Sequence, residues 1–166
     1  TQRVGDAHWM AAVDVSPQQE ARGVDRDDDA EHEDEHPCVQ IAAGYRHTAL
    51  RLTDGSARAF GFNGDGECNV PSLPAGLAYT DIAPGLQHTL ALRSDGAVLA
   101  WGANGNGQCN VPPLPPGMTY QDVAANFYTS FAVRSDGQLL SWGWNGTGQG
   151  NVPPLPPGLR YVQVDG

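Results

Sequence analysis

Apolar and polar residues alternate over short runs of this chain, and the runs return at a fixed interval. Period-two alternation bounded by glycine, asparagine and proline predicts strands rather than helices. First strands are expected at 39–43, 79–83 and 120–124. Second strands follow at 47–52, 88–93 and 129–134, and third strands at about 57–61, 98–102 and 139–143. Between second and third strands stands Asp-Gly, as Asp54-Gly55, Asp95-Gly96 and Asp136-Gly137. That dipeptide favours a two-residue hairpin turn, because both turn positions need positive φ.

A two-residue turn makes definite pairings. It sets Leu92 opposite Leu99 and Leu90 opposite Trp101, with Val133 opposite Leu140 and Phe131 opposite Trp142 in the next copy. Thr89, Ala91, Val98 and Ala100 then fill the other face, giving one bulky and one smaller face per sheet. Such sheets stack large side against small side, as propeller blades do. The first copy breaks the pattern by placing Arg51 opposite Arg58, a repulsive pair unless an anion or solvent screens it. The two are a candidate anion contact, for which the acidic run upstream is one source.

The interval is 41 residues, without insertion or deletion: Asp54, Asp95 and Asp136 are in register, as are Gly61, Gly102 and Gly143, and Tyr79, Tyr120 and Tyr161. A fixed period of this size marks a solenoid, a propeller or an array. The organisation expected is an acidic segment at 1–38, repeats at 39–79, 80–120 and 121–161, and the start of a fourth at 162–166. The linkers recur too, each with Asn-Val-Pro and a Pro-x-x-Pro spacing, as at Asn110-Val111-Pro112-Pro113-Leu114-Pro115. Recurrence at the structural period favours stiff crossings between sheets over a polyproline ligand.

Charge changes the picture only at one end. Of the 19 acids, eleven lie in residues 1–37, which leaves the repeats close to neutral within a net charge of -10. The dense run from Asp25 to His36 is expected to be disordered, with His32 and His36 solvated rather than holding a metal. A chain this acidic, and without lysine, argues against direct binding of nucleic acid. No stretch predicts a signal peptide or a membrane span; in a chain expected to be a piece of a longer one that says little about address, so the compartment stays open, with cytoplasm or nucleus slightly favoured. Because the chain starts at Thr1 and stops just inside a fourth unit, it is expected to be a piece of a longer protein.

The run Ala-Gly-x-x-His-Thr-x-Ala-Leu, then Asp-Gly, then Ala-Trp-Gly-x-Asn-x-x-Gly-Gln, seen here as His88-Thr89, Asp95-Gly96, Trp101-Gly102 and Gly107-Gln108, resembles the regulator-of-chromosome-condensation repeat family. The resemblance implies an all-β, partial β-propeller whose blades have about four short strands, and a complete ring of seven blades in the whole protein. Three units are too few to close it, so self-association through open blade edges is expected. Family members serve as guanine-nucleotide exchange factors, as repeat arrays in HECT-type ubiquitin ligases, as an ultraviolet-B receptor and as secreted inhibitors. Likeness of fold alone does not choose among them.

Candidate chemistry narrows the reading to a non-catalytic protein-interaction module. His47 and His88 become Thr129 in the third copy, which suits a hydrogen bond within the blade better than a base. The glycine loops lack the Lys-Ser/Thr ending of a phosphate loop and the acid spacing of a calcium hand, so no cofactor or metal is expected. Cys68 and Cys109 share a slot; buried thiols are preferred there over a bridge or a shared metal. Asn145-Gly146-Thr147 is a formal glycosylation site. Trp144 alone does not make the tryptophan cluster of a light receptor. Slots that vary between copies are free to carry recognition: Tyr45, Arg46, Leu86, Gln87, Phe127 and Tyr128 before the second strand, with Phe62, Asp65 and Trp144 after the third. Aromatics and arginine on loops are typical anchors for protein partners.

Overall fold

The computed structural model describes residues 37–166; the acidic run with His32 and His36 lies outside the described residues. Among the described residues nine strands form where the alternation places them: β1 (Cys38–Ala43), β2 (His47–Leu52), β3 (Ala57–Gly61), β4 (Tyr79–Pro84), β5 (His88–Arg93), β6 (Val98–Gly102), β7 (Tyr120–Asn126), β8 (Thr129–Arg134) and β9 (Leu139–Gly143). They pair as three antiparallel sheets in the orders β1-β2-β3, β4-β5-β6 and β7-β8-β9. Each blade therefore has three strands, where the resemblance implied about four. The chain after each third strand runs as a proline-rich linker instead.

The hairpins differ from expectation by one residue. Arg93 N–H donates to the Ala97 carbonyl at 2.8 Å, and Gly96 N–H donates back to the Arg93 carbonyl at 2.8 Å. The loop is thus Ser94-Asp95-Gly96, a turn closed by a glycine bulge at φ 79°. Asp-Gly ends this three-residue loop as readily as it makes a two-residue one. The observed partners are Leu92 with Val98, Ala91 with Leu99, Leu90 with Ala100 and Thr89 with Trp101. In the third sheet Val133 faces Leu139, Phe131 faces Ser141 and Ser130 faces Trp142.

A one-residue slip exchanges the faces of one strand against its neighbour. Each face consequently mixes large and small residues: Leu90, Leu92, Val98 and Ala100 share one, and Thr89, Ala91, Leu99 and Trp101 the other. The sheets still stack face to face. Ala49, Ala57 and Ala59 of the first blade pack against Ile82, Ala91, Leu99 and Trp101 of the second. Leu90, Leu92, Val98 and Ala100 of the second pack against Val123, Ala132, Leu140 and Trp142 of the third. Small residues on the central strand leave room for the tryptophan arriving from the adjacent strand.

The same slip removes the expected arginine pair. Arg51 is opposite Ala57, and Arg58 is opposite Leu50, so the two side chains leave opposite faces of the sheet. Arg51 faces the second blade; its Nε donates to Gln40 Oε1 of its own blade at 3.1 Å, and Gln40 Nε2 donates across to Asp81 Oδ1 at 2.6 Å. Arg58 is exposed beside Phe60 on the outer face. The shared anion contact loses its geometric basis.

The linkers are held by the tyrosines that recur with them. Tyr79, Tyr120 and Tyr161 donate their hydroxyls to the carbonyls of Pro71, Pro112 and Pro153 at 2.7, 2.6 and 2.6 Å. Met118 N–H then bonds the Pro115 carbonyl at 3.1 Å, closing a turn with Gly117 at φ 79°. These contacts account for the fixed linker sequence by architecture.

Candidate interaction surface at the loop end

The recognition slots lie in two loops per blade, and backbone bonds tie those loops together. Phe62, Ala103 and Trp144, each just past a third strand, donate their N–H groups to the carbonyls of Arg46, Gln87 and Tyr128 at 2.9, 2.7 and 2.9 Å. Successive blades join as well. Tyr45 N–H reaches the Gly85 carbonyl at 3.2 Å, and Leu86 N–H reaches the Phe127 carbonyl at 3.1 Å. One continuous rim results, built from loops of all three blades.

Four large rings stand exposed on it: Tyr45 at 71%, Phe127 at 54%, Trp144 at 41% and Phe62 at 38%. Tyr45 and Phe127 come from the first and third blades yet meet with ring centroids 5.5 Å apart and planes tilted by 40°. The Arg46 guanidinium sits 3.7 Å above the centre of the Phe62 ring, a cation–π contact. Asp65 Oδ2 accepts a hydrogen bond from Gln87 Nε2 at 2.8 Å, across the first two blades. Tyr128 is half-buried and Leu86 is buried. The variable slots thus gather at one end, with Leu86 turned to packing.

Beneath the rim the recurring residues lock blade to blade. His47 Nε2 lies 2.8 Å from Thr89 Oγ1 of the next blade, and Thr89 donates to the Glu67 carbonyl at 3.0 Å. Trp101 Nε1 donates to that same carbonyl at 2.9 Å. The next junction repeats the arrangement: His88 with Ser130 at 3.0 Å, Ser130 to the Gln108 carbonyl at 2.7 Å, and Trp142 to that carbonyl at 2.9 Å. Each hydroxyl has a single proton, already given to a carbonyl, so each histidine donates through Nε2. The histidine partner is therefore a side chain of the following blade, whereas a bond within the same blade was expected.

That tautomer leaves Nδ1 of both rings bare, buried and without a partner among the described residues. Burial, with His47 nearby, pushes His88 down to about 4. Burial also lowers His47, against the opposing charge of Glu67. Glu67 itself escaped the reading of the sequence. It is wholly buried, one carboxylate oxygen accepts the Asp65 N–H at 2.9 Å, and the other has no partner among the described residues. The available signal was its slot, which holds glutamine as Gln108 and Gln149 in the other copies.

Two further expectations meet the structure here. Cys68 and Cys109 are free thiols that donate to the carbonyls of Phe62 and Ala103, each at 3.2 Å. Burial pushes Cys109 up to about 11. Asn145 is exposed, but its amide is committed: Nδ2 donates to Asn151 Oδ1 at 2.8 Å, and Oδ1 accepts the Gly150 N–H at 2.7 Å. Asn63 and Asn104 make the same clamp. Among the described residues no group of three or more His, Cys, Asp or Glu side chains is placed to hold a metal ion, and no helix is long and apolar enough to cross a membrane.

Stacked antiparallel blades, locked by a repeated histidine, hydroxyl and tryptophan arrangement and carrying loops along one rim, define a repeat protein of the β-propeller class. The chain belongs to the family of the regulator of chromosome condensation (RCC1) repeat, whose family model matches residues 38–67, 79–108 and 120–149. Among solved structures it is similar to Prp20p from Saccharomyces cerevisiae, described with its binding properties to Gsp1p and histones, at 25% identity and a TM-score of 0.61 over 72% of this chain and 33% of that one. It is similar in fold to human WBSCR16, at 20% identity and a TM-score of 0.61 over 77% of this chain and 39% of that one. The ectodomain of the Arabidopsis thaliana receptor kinase ACR4 shares the fold at 17% identity and a TM-score of 0.56, over 79% of this chain and 45% of that one. The chain spans less than half the length of each of these proteins. No curated protein matches it in sequence.

Proposed function

We propose that the three repeats serve as a non-catalytic protein-interaction module, with the partner held on the rim that carries Tyr45, Arg46, Phe62, Asp65, Phe127, Tyr128 and Trp144. The observation that supports this most is the exposure of four large rings on one end of the blades. Aromatic and arginine side chains dominate the energetics of protein interfaces, and contiguous exposed apolar surface marks such sites. The chemistry-bearing residues that recur, His47 and His88 above all, are occupied in joining blades. That Prp20p is described as binding proteins agrees with a binding role for the shared fold. A catalytic domain, if the whole protein has one, belongs to a part of it outside these repeats.

Site-specific photo-crosslinking tests the reading in the cell of origin. A benzophenone amino acid replaces Tyr45, Phe127 or Trp144 in turn, and replaces Leu155 in a linker as the control. A discrete protein adduct from the three rim positions, absent at Leu155, is expected. Adducts of equal yield at Leu155, or none at the rim, would sink the proposal.

A further inference from the structure

We propose that the rim accepts a cationic side chain, arginine or lysine, presented on an exposed segment of a protein partner, with its charge entering beside Tyr45 and Phe127 toward the acidic recess beneath them. This deepens the reading of the rim as a partner surface and rests on it. Tyr45 and Phe127 are the most exposed rings of the rim. Beside them lies a recess of about 260 Å³ walled by uncharged residues, among them Pro84 and Leu86. It adjoins a second recess of about 320 Å³, since Ala43, Pro84, Ala125 and Gly166 line both.

The second recess carries Asp81, Asp122 and Asp165 and no basic side chain. Two of its carboxylates are partly engaged: Asp81 Oδ1 accepts from Gln40 and the Ile82 N–H, and Asp122 Oδ2 accepts from the Val164 N–H. Each ionised carboxylate keeps lone pairs to spare. Burial raises the Asp122 pKa, the Val164 N–H opposes, and the nearby Asp81 and Asp165 raise it further. The recess therefore presents three carboxylates and no basic side chain in its lining.

The rim already shows how a cation sits there, because the Arg46 guanidinium lies on the Phe62 ring. Tyr45 and Phe127 offer exposed ring surface of the same kind. An acidic partner segment would be repelled by the three carboxylates, and a purely apolar one would desolvate them without compensation. A positive charge offsets both terms, with attraction to the rings added.

The test uses the whole chain and a fluorescein-labelled peptide of alternating glycine and arginine, read by fluorescence anisotropy. A matched peptide with citrulline keeps the shape of arginine and removes its charge; a glutamate peptide reverses it. The arginine peptide is expected to bind about tenfold or more tighter than the citrulline peptide, equivalent to 1.4 kcal/mol. Tyr45→Ala with Phe127→Ala, and separately Asp122→Asn with Asp165→Asn, should each weaken it about tenfold. Asp136→Asn, an exposed acid on the third hairpin, should leave it unchanged. Should the alanine pair unfold, Tyr45→Leu with Phe127→Leu keeps apolar bulk and removes the ring faces. Equal binding of arginine and citrulline peptides, or equal weakening by Asp136→Asn, overturns the proposal. Rim crosslinks that persist after such a failure would leave the partner surface standing and remove only its cationic occupant.

Discussion

His88 and Ser130, one on each side of a blade boundary, lie 3.0 Å apart, and the bond between them decides which ring nitrogen of His88 is bare. The bare Nδ1 is buried, so protonating the ring forces a charge into a site with nothing to receive it. Folded His88 has its pKa near 4, against about 6.5 for the unfolded chain. Between these values the unfolded state binds the proton and the folded state does not. This stability is complete above about pH 6.5 and is lost as pH falls toward 4, an effect on the order of 3 kcal/mol. Urea midpoints across that window should fall with pH, and His88→Gln should flatten the slope; an unaltered slope would assign it to other groups.

The same ring limits what can stand beside it. A Cβ on Gly85 would lie 2.4 Å from the His88 ring, and the ring is pinned by Ser130. Gly85→Ala should therefore destabilise by about 1–3 kcal/mol through overpacking, read by urea denaturation. A change too small to measure would mean the ring can swing away from its hydroxyl.

Trp142 is needed both for bulk and for its indole N–H, which shares the Gln108 carbonyl with Ser130. Trp142→Phe keeps most of the bulk and removes the donor. A loss of about 1 kcal/mol is expected, read as a lowered urea midpoint. The first blade already carries Phe60 in this slot, on an outer face where it is 55% exposed.

Strand positions were legible in the sequence because alternation and Asp-Gly repeat together, and three copies reinforce every boundary. Register was not, since the glycine at the end of a three-residue loop looks the same as the glycine of a two-residue turn. That single residue moved Trp101 from Leu90 to Thr89 and dissolved the Arg51 and Arg58 pair. The variable slots could be picked out by comparing the copies, but their gathering at one rim emerges only from the fold, where loops at the same strand ends of stacked sheets share an edge. Leu86 was misplaced among them: its slot varies, yet the Phe127 loop covers it. Glu67 was missed because a glutamate reads as a solvated residue, and only its glutamine counterparts betray a buried slot.

Thiol chemistry gives a separate measurement. With its pKa near 11, Cys109 has little thiolate at neutral pH, and the thiolate is the reacting form. In the folded chain Cys109 should alkylate with iodoacetamide far more slowly than in urea, with peptide mass spectrometry reading the label. Equal rates in both states would mean that the Ala103 carbonyl does not hold the thiol.

The exposed hairpin pairs give a titration that should be large in pKa and small in stability. The Arg93 guanidinium, 2.5 Å from Asp95, holds that carboxyl down to about 2. Its contribution is present above the ordinary carboxylate range and lost as pH falls through about 2. Carbon NMR of Asp95 should show that midpoint and return it toward the usual range in Arg93→Gln, while the urea midpoint at neutral pH barely moves.

The side-chain bonds of His47, Thr89, Trp101, His88, Ser130 and Trp142 across the blade boundaries each join a unit to the one next to it. The sockets are also shared: the Glu67 carbonyl receives Thr89 and Trp101, just as the Gln108 carbonyl receives Ser130 and Trp142. A unit copied in place by gene duplication therefore arrives with a donor set for its predecessor and an acceptor for its successor. Such an array can lengthen or shorten by unequal crossing-over without redesign of any joint, leaving the rim residues as the part on which divergence between copies is free to act.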